Sequence, residues 1–207
     1  VTAVTMGPPQ AENMLRELYA MGADHAVLLT DRKFSGADTW ATSNTLAAYI
    51  KQVDFDLIIA GRQAIDGDTA QVGPQTAEKL GLPQISYVDD VLEFSKEKIV
   101  VKKALENNYE VLECPLPCVI TTLSTIAKPR YMRVMGISHA FEKDVTIKTF
   151  DDLNIDPAII GLKGSPTKVK KTFTKEVHSN SDILNLDGKS SARKVAEILM
   201  DMNFIGK

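Results

Sequence analysis

Short apolar runs alternate with longer segments of helical spacing along the first part of the chain. The runs at 1–5, 26–30 and 57–60 are too short for globular helices and are typical of buried parallel strands. Strands that alternate with helices at this spacing predict an α/β fold with a doubly wound parallel sheet. The apolar positions predicted to face the core are Met14, Leu15 and Leu18 in the first helix, and Leu46, Ile50 and Val53 in the second.

The pattern changes after Pro83, where two β-rich stretches follow each other closely. Residues 85–94 and 99–105 are separated by four polar residues, which predicts an antiparallel hairpin laid against the parallel sheet. A third short strand is predicted over 109–112, and the apolar run at 119–123 predicts a return to a buried strand.

The segment Gly61–Pro74 is a polar, glycine-containing loop between the third strand and a helix. In open α/β sheets such loops lie where ligands bind, at the carboxyl ends of the strands. The helix begins in one of two ways. Either Asp68 caps it with Gln71 three positions later, or Pro74 is its first residue.

In both cases the backbone N–H groups of 69–73 lack helical partners, and free N–H groups at a helix start favour a phosphate. Gly67 and Gly73 would permit close backbone approach. Neither a Walker lysine nor a Gly-x-Gly-x-x-Gly motif is present. An acidic, well-capped loop with no ligand is the alternative, and Asp66 and Asp68 as acid/base groups or magnesium ligands are a weaker one.

The stretch Gly61–Gln84 resembles the β subunit of electron transfer flavoproteins. The resemblance covers residue 1 to about Lys148 continuously and the tail more loosely. It implies that the doubly wound sheet is Rossmann-like or adenine-nucleotide α-hydrolase-like. With Ala70 and Val72 flanking Gln71, the loop is similar to that of the electron-bifurcating branch. Because the family has a strand and a helix before the segment matched by Val1, the resemblance implies that these are missing, together with their cofactor contacts.

The resemblance implies that this subunit binds FAD, with AMP as the alternative, and uses NADH as a substrate. The loop that wraps the nucleotide phosphates would be joined by the turn after the first strand. The implied cofactor-binding residues are Met6, Gly7, Pro8, Gly61, Asp66, Gly67, Asp68, Thr69, Ala70, Gln71, Val72 and Gly73. Ala70 and Val72 have no polar side-chain atoms, so the backbone must supply most contacts; this favours a pyrophosphate, and hence FAD.

By the same resemblance, the chain is the β subunit of a heterodimer that passes electrons from NADH to ferredoxin or flavodoxin. Of the two electrons that each NADH supplies, one would take this branch, and the other would pass through the FAD of the α subunit to an acyl-CoA dehydrogenase. A non-bifurcating carrier with structural AMP is the alternative within the family. From another class, a nucleotide-binding module of the universal-stress or ATP-pyrophosphatase type stays open, although no Ser-Gly-Gly-x-Asp loop is present.

Residues 127–149 show no helical or strand period, yet they carry several apolar residues. Such a cluster in a loop predicts a docking surface over 127–140, and the resemblance implies that Val134 inserts into the partner dehydrogenase. The docking residues are Tyr131, Met132, Val134 and Met135. A loop folded back on its own domain is the alternative.

The predicted organisation is a nucleotide-binding domain over 1–148 and a C-terminal arm over 149–207. Ser190 or Ser191 is predicted to cap a terminal helix that packs on the α subunit. Its apolar face consists of Ala192, Val195, Ala196 and Leu199.

Composition narrows the function classes. The net charge of −3 over 207 residues argues against a nucleic-acid surface, and no apolar run approaches the ~18 residues of a membrane span. Two cysteines, Cys114 and Cys118, cannot supply a four-ligand metal site, and as free thiols they favour a cytoplasmic location. No catalytic or metal-binding constellation is evident in the sequence. The resemblance implies oxidoreductase activity only as part of a flavoprotein complex.

Overall fold

The computed structural model describes residues 1–65, 67–172, 183 and 185–205. The chain divides into two compact units, 1–168 and 169–207. The predicted boundary after residue 148 lies earlier than this division, because the segment that follows it contributes to the core of the first unit. Leu153 and Ile160 are buried there, and the amide of Asn44 donates to the Ile159 carbonyl at 3.0 Å.

The first unit contains both strands and helices, which confirms the α/β class. Its strands are β1 (Thr2–Met6), β2 (His25–Leu29), β3 (Leu57–Gly61), β4 (Gln84–Phe94), β5 (Lys98–Ala104), β6 (Tyr109–Pro115), β7 (Cys118–Thr122) and β8 (Thr146–Lys148). Its helices are α1 (Glu12–Met21), α2 (Thr39–Ile50), α3 (Val72–Leu80), α4 (Val134–Glu142) and the single turn α5 (Gly161–Gly164). Short 3-10 turns lie at Pro9–Ala11, Arg32–Phe34, Phe150–Asp152 and Pro157–Ile159.

Strands β1, β2 and β8 form a parallel sheet in the order β1-β2-β8. Successive residues of a strand point to opposite faces, and β2 is buried on both. Ala26 and Leu28 pack in a cluster with Leu15 and Tyr19 of α1. Val27 and Leu29 pack in a second cluster that includes Tyr49 of α2. Helices therefore cover both faces of this sheet, as the doubly wound pattern predicts.

The other five strands form a mixed sheet in the order β3-β7-β4-β5-β6. The three strands β3, β7 and β4 run parallel, and β4, β5 and β6 form the predicted antiparallel meander. Its core includes Val88, Ile99, Val101 and Ile120, with both cysteines beside them. The single predicted sheet is thus two hydrogen-bonded sheets within the described residues, since β1 and β3 do not pair with each other.

Helix α2 links the two sheets within the first unit. It contacts β1 of the parallel sheet and packs along α3, which in turn lies on β7 and β4 of the mixed sheet. Its N-terminus is capped by Asp38, whose carboxylate accepts from the Ala41 N–H at 3.0 Å. Burial raises the pKa of Asp38, but hydrogen bonds from Ala41 and Thr167 outweigh it and hold that pKa below the ordinary 3.8. The cap is therefore charged at neutral pH.

The second unit contains one described helix, α6 (Gly188–Asp201). Asp187 caps it by accepting from the N–H groups of Lys189 and Ser190 at 3.0 and 3.2 Å. The prediction that Ser190 or Ser191 is the cap was wrong, because both lie inside the first turn of the helix. Within this unit no side chain of α6 is buried.

Candidate functional site

The candidate site is the loop between β3 and α3, at the carboxyl ends of two parallel strands. β3 pairs with β7 from Leu57 opposite Cys118 to Gly61 opposite Thr122. One residue further, the Arg62 N–H donates to the Thr122 carbonyl at 3.1 Å. The loop thus leaves the sheet at the edge where open α/β folds bind ligands.

The loop conformation is unusual for its residue types. Asp68 and Ala70 have φ angles of 51° and 54°, in the left-handed region that alanine seldom occupies. The Asp68 N–H donates to the Ala64 carbonyl at 3.0 Å, and its carboxylate accepts from the Gln63 amide. Strained backbone of this kind concentrates at ligand sites.

Helix α3 begins at Val72, and Gln71 occupies the cap position with no side-chain hydrogen bond to the helix. Neither predicted start was correct. Asp68 does not cap the helix, because its left-handed backbone and that of Ala70 interrupt a helical path, and Pro74 is the third helical residue instead of the first.

The uncapped start leaves backbone donors available. The first backbone hydrogen bond of the helix is donated by the Gln75 N–H to the Gln71 carbonyl, at 3.0 Å. Among the described residues, the N–H groups of 69–73 make no backbone or side-chain hydrogen bond. Together with the positive end of the α3 dipole, these donors can hold the oxygens of a phosphate or pyrophosphate.

The end of the loop is fixed to α2 by two side-chain contacts. The Thr39 hydroxyl donates to Gln71 Oε1 at 2.8 Å, and the Ser43 hydroxyl donates to Gln75 Oε1 at 3.1 Å. With its oxygen engaged by Thr39, Gln71 presents only its amide N–H groups to a ligand. This suits the anion that the sequence predicts.

Gly73 has a packing role that the sequence did not reveal. It is buried, and a Cβ at this position would lie 2.6 Å from Thr121 Cγ2 and 3.4 Å from Ala60 Cβ. Gly73 therefore allows α3 to pack close to the sheet. The sequence had instead suggested that this glycine allows a ligand to approach the backbone. A Cβ on Gly67 or Gly61 would have no neighbour within 4 Å among the described atoms.

The other predicted cofactor residues are distributed as follows. Met6, Gly7 and Pro8 form the turn at the carboxyl end of β1, where the Gly7 N–H donates to the Leu29 carbonyl at 3.1 Å. Thr69 and Val72 lie in the loop and at the start of α3. Asp66 lies outside the described residues. The binding role of all these residues stays a prediction.

The docking cluster, defined as Tyr131, Met132, Val134 and Met135, is exposed. Tyr131 is 97% and Val134 83% accessible. Val134 and Met135 begin the helix α4, where the sequence predicted a loop. A Cβ on Gly136 would lie 2.8 Å from the Ala20 carbonyl of α1, and Arg16 Nη1 donates to the Ala140 carbonyl at 2.8 Å. Val134 and Met135 thus stand at the start of a helix fixed to the domain, and Tyr131 and Met132 lie just before it. Docking itself stays a prediction.

Two residues, one at the start of the loop and one on the neighbouring strand β4, were not singled out from the sequence. Arg62 is exposed, and its guanidinium carbon lies 5.4 Å from the ring centre of Tyr87. Tyr87 has a φ of 60° within β4. Arg62 comes directly after an apolar strand, so its place at the candidate site could have been predicted from the sequence. The bend at Tyr87 could not, because no glycine or proline marks it.

The two cysteines are free and buried, in agreement with the sequence. Burial raises the pKa of Cys118 to about 12, and the neighbouring Cys114 adds to this. Thiols in this state are poor nucleophiles and poor metal ligands. In the described part of the chain no group of three or more His, Cys, Asp or Glu residues is placed to hold a metal, and no helix there has the length and apolarity needed to cross a membrane.

Comparison with known proteins identifies the family of the chain. Residues 1–153 match the electron transfer flavoprotein domain. The chain is 52% identical over 205 residues to an electron transfer flavoprotein subunit beta of Clostridium acetobutylicum, covering 99% of this chain and 79% of that protein. It is 50% identical to subunit CarD of the caffeyl-CoA reductase-Etf complex of Acetobacterium woodii, over 89% of this chain and 70% of that protein.

A third relative is named for a different acyl-CoA reductase. The chain is 44% identical over 213 residues to the acryloyl-CoA reductase electron transfer subunit gamma of Anaerotignum propionicum, covering 99% of this chain and 79% of that protein.

Proposed function

The chain belongs to the electron transfer flavoprotein family and is similar to its β subunits. We propose that it binds FAD and takes part in electron bifurcation. Electrons from NADH would reach a low-potential ferredoxin or flavodoxin by one branch. The other branch would lead through a second FAD, held mainly by the α subunit, to an acyl-CoA dehydrogenase. A cytoplasmic location is proposed with it.

The observation that carries this proposal is the set of N–H groups at the start of α3 that have no hydrogen-bond partner among the described residues. Ala70 and Val72 offer no polar side-chain atoms, so the backbone of 69–73 and the Gln71 amide are the donors in this part of the loop. A pyrophosphate has more acceptor oxygens than a monophosphate and uses such a row of donors more fully. This favours FAD over AMP.

Other residues hold the backbone donors in place. The Thr39 hydroxyl donates to Gln71 Oε1 at 2.8 Å, and Gly73 lets α3 pack directly on the sheet. The donors are therefore preorganised before a nucleotide binds. When bound, FAD supplies the hydride and single-electron chemistry, while the protein supplies binding, orientation and electrostatics.

The relatives support an acyl-CoA partner. Two of them are named as electron transfer subunits or complex subunits of a caffeyl-CoA reductase and an acryloyl-CoA reductase. We propose that this chain serves an enzyme of the same general class, and that the docking cluster on α4 contacts it. An apolar cluster on a fixed helix suits a docking surface, since little ordering entropy is lost on association.

The functional test uses the heterodimer of this chain with its α subunit. Under anaerobic conditions, NADH is expected to bleach the flavin absorbance of the complex without any acyl-CoA dehydrogenase present. Reduction of ferredoxin should then require NADH, the dehydrogenase and an α,β-unsaturated acyl-CoA, which accepts the other electrons and is reduced to the saturated acyl-CoA. A heterodimer whose flavin is reduced by the acyl-CoA dehydrogenase but never by NADH would identify a simple carrier instead.

Assembly with α is expected to depend on the exposed stripe of α6. Val195, Ile198 and Met202 are spaced for one helix face and are exposed within their unit. The double variant Val195→Asp/Ile198→Asp should weaken the heterodimer by roughly tenfold or more, because it places charges at an apolar contact.

The matched control changes the opposite face of the same helix. Arg193→Ser/Glu197→Ser removes two polar residues that a partner on the apolar stripe would not touch, and it should leave the dissociation constant unchanged. Analytical ultracentrifugation of the two variants with the α subunit measures this. Equal affinity for wild type and the Val195/Ile198 variant would show that α binds elsewhere.

A further inference from the structure

Strand β4 bends where it runs beside β7. Its register shifts between Ile85, opposite Ile120, and Val88, opposite Thr122. Tyr87 lies within this shift with a φ of 60°, a conformation that is costly for a bulky residue. Such bulges re-aim a side chain, and they recur next to functional sites.

A buried hydroxyl holds this conformation. The Tyr87 N–H donates to Thr121 Oγ1 at 3.1 Å, and Thr121 is only 2% exposed. Regular backbone bonding then resumes, with the Leu123 N–H donating to the Val88 carbonyl at 2.9 Å. The bend is therefore fixed from the neighbouring strand, and it sets where the Tyr87 ring lies.

The ring of Tyr87 supports the guanidinium of Arg62 across the end of the sheet. Their separation of 5.4 Å is within the range of a cation–π contact. No carboxylate of the described residues lies within ion-pair distance of Arg62. Asp89, two residues along from Tyr87, is instead engaged by Lys102 at 3.8 Å and by the Thr125 hydroxyl.

The positive charge of Arg62 thus lies at the residue that follows β3. The N–H groups of 69–73, at the other end of the loop and the start of α3, have no partner among the described residues. We propose that Arg62 binds a phosphate of the nucleotide held by this loop, and that Tyr87 is the positioning residue that orients its guanidinium. A guanidinium adds a full positive charge and a planar pair of N–H donors to a phosphate site, and backbone donors provide neither. This inference rests on the proposed nucleotide site, but it holds for FAD and for AMP, since both carry phosphate.

The test measures binding of FAD and of AMP to the heterodimer stripped of nucleotide from this subunit, at several salt concentrations. Arg62→Gln is expected to weaken binding roughly 10- to 100-fold and to flatten its salt dependence, because one charged contact is lost. Arg62→Lys should keep the salt dependence with a smaller loss of affinity. Tyr87→Phe should bind as wild type, since the ring is retained, whereas Tyr87→Leu should lie between wild type and Arg62→Gln.

Thermal unfolding of each complex without nucleotide separates this role from a structural one. Arg62 is exposed, so its variants should melt with the wild type. Wild-type affinity and salt dependence in Arg62→Gln would overturn the inference, as would equal losses of affinity and stability in Arg62→Gln and Arg62→Lys. A wild-type complex that binds neither nucleotide here would refute the nucleotide site itself; binding of AMP alone would refute only the bifurcation proposal.

Discussion

Gly73→Val should destabilise the chain by about 1–3 kcal/mol, the usual cost of overpacking a close contact, and abolish nucleotide binding at the loop. The added Cβ would lie 2.6 Å from Thr121 Cγ2, and a buried, β-branched threonine has little freedom to move aside. The start of α3 must then shift away from the sheet, and its free N–H groups shift with it. Chemical denaturation and nucleotide content of the purified complex measure the two effects.

Two further variants identify the cause. Gly67→Val changes a loop glycine whose added Cβ would have no neighbour within 4 Å among the described atoms, so stability should stay within about 0.5 kcal/mol of wild type. Thr121→Ser removes the clashing methyl group but keeps the hydroxyl that accepts from Tyr87. Gly73→Ala adds only the Cβ, so it should lose stability and nucleotide binding to a smaller extent than Gly73→Val. Combining it with Thr121→Ser should recover much of that loss. If Gly73→Ala costs the same with either residue at 121, the contact with Thr121 does not explain the role of this glycine.

Val134→Asp should reduce coupling to the acyl-CoA dehydrogenase by roughly 100-fold, since a charge at a central apolar contact of an interface costs several kcal/mol. Val134 is exposed and begins α4. An acidic residue there interacts favourably with the positive end of the helix dipole, so it should not disturb folding. Flavin content and NADH oxidation with an artificial acceptor should stay at wild-type values.

The control for docking is Val53→Asp, which places the same charge on an exposed valine outside the docking cluster. It should leave coupling to the dehydrogenase unchanged. Equal losses in Val53→Asp and Val134→Asp would indicate a general effect of charge. Loss of flavin together with coupling in Val134→Asp would indicate a folding role for α4 instead of a docking surface.

The strands were the most predictable part of the fold. The apolar run at 26–30 gave β2, and the polar turn at 95–98 gave the hairpin of β4 and β5, because buried runs and turn residues act locally. Helix faces were less certain. In α1 the buried residues are Leu15 and Tyr19, whereas Met14 is 46% exposed. Composition alone did not show which of several apolar residues faces the sheet.

Helix α4 could not be predicted from hydrophobic spacing. The face it turns to α1 is made of small residues, Gly136 and Ala140, while its large apolar residues point outward. The position of the candidate loop was predictable from the apolar run before it. Its left-handed residues and the contact of Gly73 with Thr121 were not, because both depend on how α3 meets a strand far away in sequence.

The nucleotide content of the native heterodimer tests the central claim most directly. The complex is denatured, and the released nucleotides are separated by chromatography and quantified against protein. The bifurcation proposal predicts two FAD and no AMP per heterodimer, since this chain and the α subunit each hold one flavin. One FAD and one AMP per heterodimer would contradict it and identify a simple electron carrier.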